Sequence, residues 1–364
     1  MIDSIEIQNF KCFDNLKLSF GSLTLITGFN GGGKSTAVQP LLLLSQGFRS
    51  STTQRVFELN GELVRLGTVG DILPAETKDP DVKFGVLGTH GAQFWTFNPR
   101  AGDRYLSAKT AAGSEKSSET AVARSLADLA YLSAIREGTA EAYPIPDSAS
   151  ERLGDVGSDG RFAAYLYDRS VDNEVSSAKM YPGESATSMR KQLDAWFGAL
   201  FAGAQVNVQS IPLVSLLSLQ FRLSEIGEWR RPANVGYGLT YAFPILVSLL
   251  TARPGQIVVI DSPEAHLHPL AQSQMGRILA HFAGSGVQIL VETHSDHLLN
   301  GARLAVKEAV IAPDILRIHF FTGPSPSGHG VVSPTIDSEG RINEWPDGFF
   351  DQSEKDLSRL SGWS

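Results

Sequence analysis

The octapeptide Gly28-Phe29-Asn30-Gly31-Gly32-Gly33-Lys34-Ser35 decides how the rest of the chain is read. It fits Gly-x-x-x-x-Gly-Lys-Ser/Thr, a loop whose backbone N–H groups cradle phosphates. The apolar run Leu23 to Thr27 before it has the character of a buried strand, and the run Thr36 to Gln46 after it that of a helix. Strand, loop and helix thus follow in the order the motif needs. Glycines at 28, 31, 32 and 33 let the backbone turn tightly and aim successive amides inward, and a helix starting near Lys34 adds its positive N-terminal end. On this reading Lys34 reaches the β- and γ-phosphates of ATP or GTP and Ser35 offers a hydroxyl to magnesium, with Asn30, Gly31, Gly32, Gly33 and Thr36 completing the cradle. A Gly-rich turn that merely ends in Lys-Ser is the bland alternative, and the flanking runs argue against it.

Such a site needs a carboxylate at the end of an apolar strand far along the chain. Ile257-Val258-Val259-Ile260-Asp261 supplies one. Four consecutive β-branched residues between Gly255 and Pro263 read as a strand buried on both faces of a parallel sheet. Asp261 then stands at the carboxyl end, where open α/β sheets bind ligands. A helical stretch from Leu270 to Phe282, the breakers Gly284 and Gly286, and a second buried run, Val287 to Val291, make a β-α-β unit. His294 follows that run, placed to touch the γ-phosphate or the attacking water, and Ser295 or Asp296 opens the next helix. His266 and His268 with His294 and His297 supply enough imidazoles for zinc, yet each pair falls at a loop expected to border a nucleotide, and His268-Pro269 reads as a helix start.

At 364 residues the chain exceeds the roughly 250 to 300 that one simple core holds, so one large domain with an inserted lobe, or two domains, is expected. With 42% hydrophobic and 19% charged residues, and no apolar run of about 18, it reads as a soluble protein with no membrane span. The N-terminus lacks the pattern of a secretory signal and Cys12 is the single cysteine, so a reducing cytoplasm is the expected location. A formal charge of −8 argues against a basic domain that coats nucleic acid, although Arg222, Arg230 and Arg231 form a small local cluster.

Taken together, Ile5-Glu6-Ile7-Gln8-Asn9-Phe10-Lys11, the Asn-containing phosphate loop, the stretch Asp261 to Pro269 and the stretch Glu292 to His297 resemble the ABC-class ATPases of the RecF, SMC and OLD (overcoming lysogenization defect) group. The chain is most similar to that group's stand-alone ATPases, which end in a small domain of unknown function, and Arg341 to Asp351 resembles the signature of that terminal domain. The resemblance implies an α/β fold: an ABC-type P-loop NTPase with an N-terminal antiparallel β-lobe, an inserted lobe and a mainly parallel core sheet. It implies ATP and Mg2+ as cofactors and a homodimer with ATP sandwiched between protomers. A Gly-rich segment at a helix start then binds the γ-phosphate of the opposite subunit, and Asn234, Gly236 and Gly238, ahead of an apolar helix from Tyr241 to Leu250, match it. A separate effector protein, in bacterial defence or genome maintenance, is implied as well.

Most such enzymes carry a glutamate directly after the magnesium aspartate, whereas here Ser262 stands there and Glu264 lies two residues on. A serine hydroxyl is a poor base at neutral pH, so hydrolysis is expected to be slow or to use Glu264 as the water-orienting carboxylate. Lys34, Glu264 and His294 are therefore the catalytic candidates, and Ser35 and Asp261 the magnesium ligands. The rival readings are a RecF-like repair ATPase, which the acidic balance disfavours, and a nucleotide sensor without hydrolysis. The chain after residue 300 is expected to be too short for the nuclease domain of larger OLD proteins.

Four segments are expected: 1–98, an N-terminal β-lobe with the phosphate loop; 99–233, a mobile loop over 101–119 and an inserted lobe; 234–312, the signature-like segment, the Asp261 strand and the switch histidine; and 313–364, a small C-terminal domain. A hairpin is expected over Val331 to Ile342, turning at Ser338-Glu339-Gly340. Arg136 matches an arginine at the corresponding strand end in many relatives, with nucleotide contact and a tie between lobes both open. Phe10 and Phe13 either face adenine or join the core, and Trp345, Phe349 and Phe350 either pack or dock a partner.

Overall fold

The computed structural model describes residues 1–53, 55–74, 81–89, 91–113, 116–146, 154–224, 226–325 and 328–361. The chain forms two compact units: Met1–Ala127 with His294–Asp296 and Ala312–Ser364, and Asp128–Thr293 with His297–Ile311.

The first unit opens with β1 (Ile2–Phe10) and β2 (Phe13–Ser19), antiparallel with Ile7 opposite Leu16. Alternation assigns the faces: Ile5, Ile7, Leu16 and Leu18 are buried, while Lys17 pairs with Glu6 at 2.7 Å on the outer side. β3 (Leu23–Gly28) is buried from Leu23 to Thr27 and leads through the phosphate loop into α1 (Lys34–Ser50). β4 (Val56–Glu58), β5 (Val82–Gly88), β6 (Gly91–Phe97) and β7 (Tyr105–Gly113) extend the antiparallel sheet in the order β2-β1-β5-β6-β7-β4, and α2 (Lys116–Ala127) follows. An aromatic core joins α1 to this sheet: Phe48 meets Phe57 at 5.3 Å and Trp95 at 5.8 Å, and Phe97 meets Phe57 at 5.6 Å and Phe84 at 5.4 Å. Phe10 closes the chain of rings on Phe84 at 5.4 Å. Each such ring contributes about 2 kcal/mol by burial.

The expectation of a mobile loop over 101–119 is not met. Tyr105–Gly113 pairs with β6 and α2 begins at Lys116, with residues 114 and 115 outside the described residues. Small side chains such as Ser107 and Ala108 erase the alternation by which a strand is read, so composition alone suggested a loop. The β5–β6 hairpin forms as expected, with His90 at its turn outside the described residues.

The chain continues through β8 (Ala130–Leu132), β9 (Tyr143–Pro144), α3 (Ala163–Ser170), α4 (Met189–Leu200), β10 (Gln205–Ile211) and β11 (Leu216–Arg222). Then come α5 (Tyr237–Thr251), β12 (Ile257–Asp261), α6 (Pro269–Gly284), β13 (Gln288–Glu292) and α7 (Asp296–Lys307). In the second unit β12 runs parallel to both neighbours, with Val258 opposite Ile289 of β13 and Ala130 of β8. Residues 257–260 of β12 and 289–291 of β13 are apolar and buried because both faces are covered. β10, β11 and β9 form a separate antiparallel sheet. Phe221 of β11 stacks on Phe197 of α4 at 5.8 Å and meets Phe243 of α5 at 6.2 Å. α5 is buried almost all round, and the buried ammonium of Lys179 donates to the carbonyl oxygens of Leu249 at 2.9 Å, Leu250 at 3.2 Å and Ala252, closing its C-terminal end. α5 begins four residues earlier than the expected Tyr241, so Gly238 and Thr240 lie inside its first turns.

The chain then returns to the first unit. β14 (Leu316–Ser325) lies parallel to β3, from Leu316 opposite Leu23 to Phe321 opposite Gly28, and β15 (Gly328–Val332) pairs antiparallel with β14. His319 is buried on β14; its Nε2 donates to the Ser19 carbonyl oxygen at 2.6 Å and its Nδ1 accepts from the Ser333 hydroxyl at 2.7 Å. The hairpin expected over 331–342 shrinks to a turn closed by Ile336 and Ile342, with Gly340 left-handed at φ 71°. α8 (Gln352–Leu360) ends the described chain. Among the described residues no helix is long and apolar enough to cross a membrane.

Candidate functional site

The phosphate loop belongs to the first unit. Gly28, Gly31 and Gly33 have φ of 135°, 74° and 100°, a region where a side chain is strained. A Cβ on Gly28 would lie 2.2 Å from the Phe321 carbonyl oxygen, and one on Gly33 would lie 2.4 Å from Phe13 Cζ and 3.0 Å from Cys12 Sγ. Gly33 is the N-cap of α1 and no side chain caps the helix, so the positive end of α1 is presented to the loop. The buried Lys34 folds back, its Nζ donating to the carbonyl oxygens of Gly28 at 3.1 Å and Phe29 at 2.9 Å. Asn30, Gly31 and Ser35 are exposed, Thr36 is half-buried and Gly32 is buried against the Phe29 carbonyl. This cradle fits a polyphosphate: amides at a helix start, a lysine within the loop, and open space over Gly31.

Of the two alternatives for Phe10 and Phe13, the structure takes the core. Both are buried, and Phe13 packs edge-on to Phe321 at 6.1 Å. The terminal segment instead reaches the loop. Phe29 donates its backbone N–H to the Phe321 carbonyl at 3.0 Å, its ring meets Phe320 at 5.6 Å, and Gly348 lies so close that a Cβ there would fall 2.2 Å from Phe29 Cζ. Phe349 packs on Phe320 at 5.2 Å and on Trp345 at 5.0 Å.

In the second unit Asp261 ends β12, half-buried, and the following turn carries Glu264, half-buried, and His266 and His268, exposed. Ser262 and His266 are left-handed, with φ of 50° and 63°. The Ser262 hydroxyl donates to Asp261 Oδ1 at 2.8 Å, and the Ser262 amide donates to the Glu292 carbonyl oxygen at 2.8 Å. His268 caps α6, its Nδ1 accepting from the Leu270 amide at 3.3 Å, which is a structural role. Arg136, buried just beyond β8, donates to the carbonyl oxygens of Asp261 and of Ser262, the latter at 3.3 Å, and lies 5.5 Å from the Tyr241 ring. Burial pulls its guanidinium down to about 10, against the opposing attraction of Asp261, Tyr241 and Glu264. Burial, then the charges of Asp261 and Glu292, push the Tyr131 phenol up.

The Gly-rich segment meets this turn within the same unit. Asn234 and Gly236 are exposed, Gly236 being the N-cap of α5 with no side-chain cap bond. Gly238 is buried, and a Cβ there would lie 3.0 Å from the His266 carbonyl oxygen, so its smallness serves packing. Tyr237 and Tyr241 meet the His266 ring at 5.2 and 4.7 Å. His294 is exposed between β13 and α7.

Sequence reasoning named Arg136 without a role and missed Tyr241, Phe29 and Gly348 as working parts. The signal for Arg136 was its match to an arginine at the corresponding strand end in relatives; its carbonyl partners lie 125 and 126 residues further on. At the acidic turn, the Asp261 carboxylate is an oxygen donor of the kind magnesium takes together with phosphates and water. Among the described residues no group of three or more His, Cys, Asp or Glu is placed to hold a metal ion by itself.

Comparisons with known proteins give the family and the fold. Residues 23–300 match the family AAA_21, described as "AAA domain, putative AbiEii toxin, Type IV TA system", and residues 311–360 match DUF3696, a protein family of unknown function. A 91-residue stretch is 33% identical to the structural maintenance of chromosomes protein 6B of Arabidopsis thaliana, covering 23% of this chain and 8% of that protein. The chain thus spans a small part of that curated relative. Among solved structures, an Smc head with an extended coiled coil bound to the C-terminal domain of ScpA from Pyrococcus furiosus aligns with a TM-score of 0.55 at 13% identity, over 99% of both chains. An SmcHead bound to the C-winged helix domain of ScpA aligns with a TM-score of 0.53 at 13% identity, over 92% of this chain and 98% of that one.

Proposed function

Since the chain belongs to the AAA_21 family and has the fold of an ABC-class P-loop ATPase of the RecF/SMC-like group, we propose that it is a magnesium-dependent ATP-binding and hydrolysing switch. The observation that carries this reading is the uncapped start of α1 beneath the glycine loop, with Lys34 within reach of the loop's own carbonyls. In this reading Lys34 leaves those carbonyls for the β- and γ-phosphates, the amides of Gly31 to Thr36 cradle them, and Asn30 borders the γ-phosphate. Ser35 and Asp261 hold magnesium, which supplies charge neutralisation on the phosphate oxygens when bound. Glu264 orients the attacking water and His294 donates a hydrogen bond to the γ-phosphate. Asn234 and Gly236, exposed at the start of α5, serve the nucleotide of a second copy, with Gly238 packing that helix start against the acidic turn, so the protein dimerises around ATP. A separate effector, in defence or genome maintenance, receives the signal, in keeping with the AbiEii-type family description and with SMC heads bound to ScpA domains. The cytoplasm is its expected place.

Phosphate release from Mg-ATP, compared with Lys34→Ala, tests the reading. Lys34-dependent turnover supports it, and turnover unaffected by Lys34→Ala sinks it. Glu264→Gln is expected to lower turnover by about a hundredfold; unchanged turnover removes Glu264 from the mechanism. One observation favours a second reading, a sensor that binds ATP without hydrolysis: a serine stands after Asp261 and engages its carboxylate. Tight Lys34-dependent binding without phosphate release identifies the sensor.

A further inference from the structure

The acidic turn is held by more than its own hydrogen bonds. Its two left-handed residues, Ser262 and His266, are each braced by the first turns of α5. His266 is clasped directly, by the rings of Tyr237 and Tyr241 and by the close approach of Gly238. Ser262 is reached indirectly: the Tyr241 ring faces the Arg136 guanidinium, and that guanidinium donates to the carbonyl oxygens of both Asp261 and Ser262. A planar guanidinium can lie against a ring and fork to two acceptors at once, which a lysine ammonium cannot do. One of the two carbonyls so gripped is that of Asp261 itself, and Ser262 Oγ bonds to the Asp261 carboxylate.

We propose that Arg136 is a positioning residue that sets the Asp261 carboxylate for its metal and links that setting, through Tyr241, to the Gly-rich start of α5. The proposal rests on Asp261 as a magnesium ligand. A shift at the start of α5 moves the Tyr241 ring, the ring moves the guanidinium, and the guanidinium turns the Asp261–Ser262 peptide. Tyr241 acts through its ring face, so its hydroxyl is dispensable.

Mn2+ binding to the ATP-bound protein, followed by electron paramagnetic resonance, reads the metal site without turnover. A fluorescent ATP analogue without metal reads the phosphate loop, and thermal melting reads the fold. Arg136→Lys is expected to weaken Mn2+ binding about tenfold while metal-free nucleotide binding stays at the native level. Tyr241→Leu is expected to weaken Mn2+ binding by a smaller factor and to add nothing to Arg136→Lys in the double variant, while Tyr241→Phe keeps native binding. Native Mn2+ binding in Arg136→Lys overturns the proposal. Fully additive effects of the two substitutions overturn the link through Tyr241, and parallel loss of metal, nucleotide and melting temperature reduces Arg136 to a structural part. If Arg136→Lys does not fold, Tyr241→Leu against Tyr241→Phe carries the test, and equal Mn2+ binding in the two overturns it. Asp261→Asn separates the premises: if it too binds Mn2+ natively, Asp261 is not a ligand and the functional reading itself fails.

Discussion

The phosphate loop and the acidic turn are both tight turns at the end of a buried strand, and both need left-handed backbone, yet they obtain it in opposite ways. In the loop the left-handed positions are Gly28, Gly31 and Gly33; in the turn they are Ser262 and His266. Glycine adopts that region freely, whereas an L-residue there costs about 1 to 2 kcal/mol. The loop's left-handed backbone therefore carries no such cost. The turn is kept in a costly shape by Arg136, Tyr237, Tyr241 and Gly238, and left-handed strain of this kind gathers at functional sites. A site written in glycines is robust but fixed; one written in outside contacts can be released.

The sharpest way to break this comparison is Gly28→Ala. The new Cβ meets backbone at 2.2 Å with φ at 135°, so nothing flexible can yield. A loss on the order of 3 kcal/mol is expected, with nucleotide binding abolished, and denaturant unfolding with a fluorescent ATP analogue measures both. Gly348→Ala comes next. Its clash is with the Phe29 ring rather than backbone, so a loss of about 2 kcal/mol is expected, with weaker nucleotide binding. Native affinity in Gly348→Ala would show that the terminal segment leaves the loop untouched. Ser262→Gly should behave differently from both: relief of the left-handed strain and loss of the hydroxyl bond to Asp261 are each worth about 1 kcal/mol and oppose each other. Its melting temperature is expected to stay within about 3 °C of the native value, and a fall matching that of Gly28→Ala contradicts the distinction between the turns.

The smallest expected effects are in pH dependence, where a support of each unit responds in its own direction. Burial holds the His319 imidazole below its ordinary 6.5, so the unfolded chain takes up protons first on acidification, and stability is lost as pH falls through that range. Burial pulls the Lys179 ammonium from 10.5 down to about 8, so between those values the unfolded chain binds a proton that the folded chain does not, and this group's contribution rises with pH. Melting curves across pH for the native chain, His319→Gln and Lys179→Met check both: each variant should flatten its own limb of the profile and leave the other.

Much of the fold was legible because its signals are local. Glycines at the phosphate loop, the β-branched run before Asp261 and the alternation in Ile5 to Gln8 each announce one element from within a few residues. β7 was not legible, since small residues remove the pattern, and the start of α5 was not, since Tyr237-Gly238-Leu239-Thr240 carries loop-like composition into a helix. The acidic turn was legible only as a list of candidate side chains. Its backbone conformation depends on an arginine more than a hundred residues earlier and on rings from another helix, and no spacing in the sequence records such partners. The same holds for Gly348, whose partner Phe29 is at the other end of the chain.

That last contact has an optical consequence. From Phe29 the rings run through Phe320 and Phe349 to Trp345, which is half exposed; Trp229 is exposed as well, whereas Trp95 and Trp196 are buried. An indole at the surface end of a line of touching rings emits according to how that line is packed and how freely a quencher reaches it. The chain thereby places an indole at the far end of a line of rings from its phosphate loop, and in a Trp229→Phe background acrylamide quenching of Trp345 is expected to change with occupancy of that loop, with no label attached.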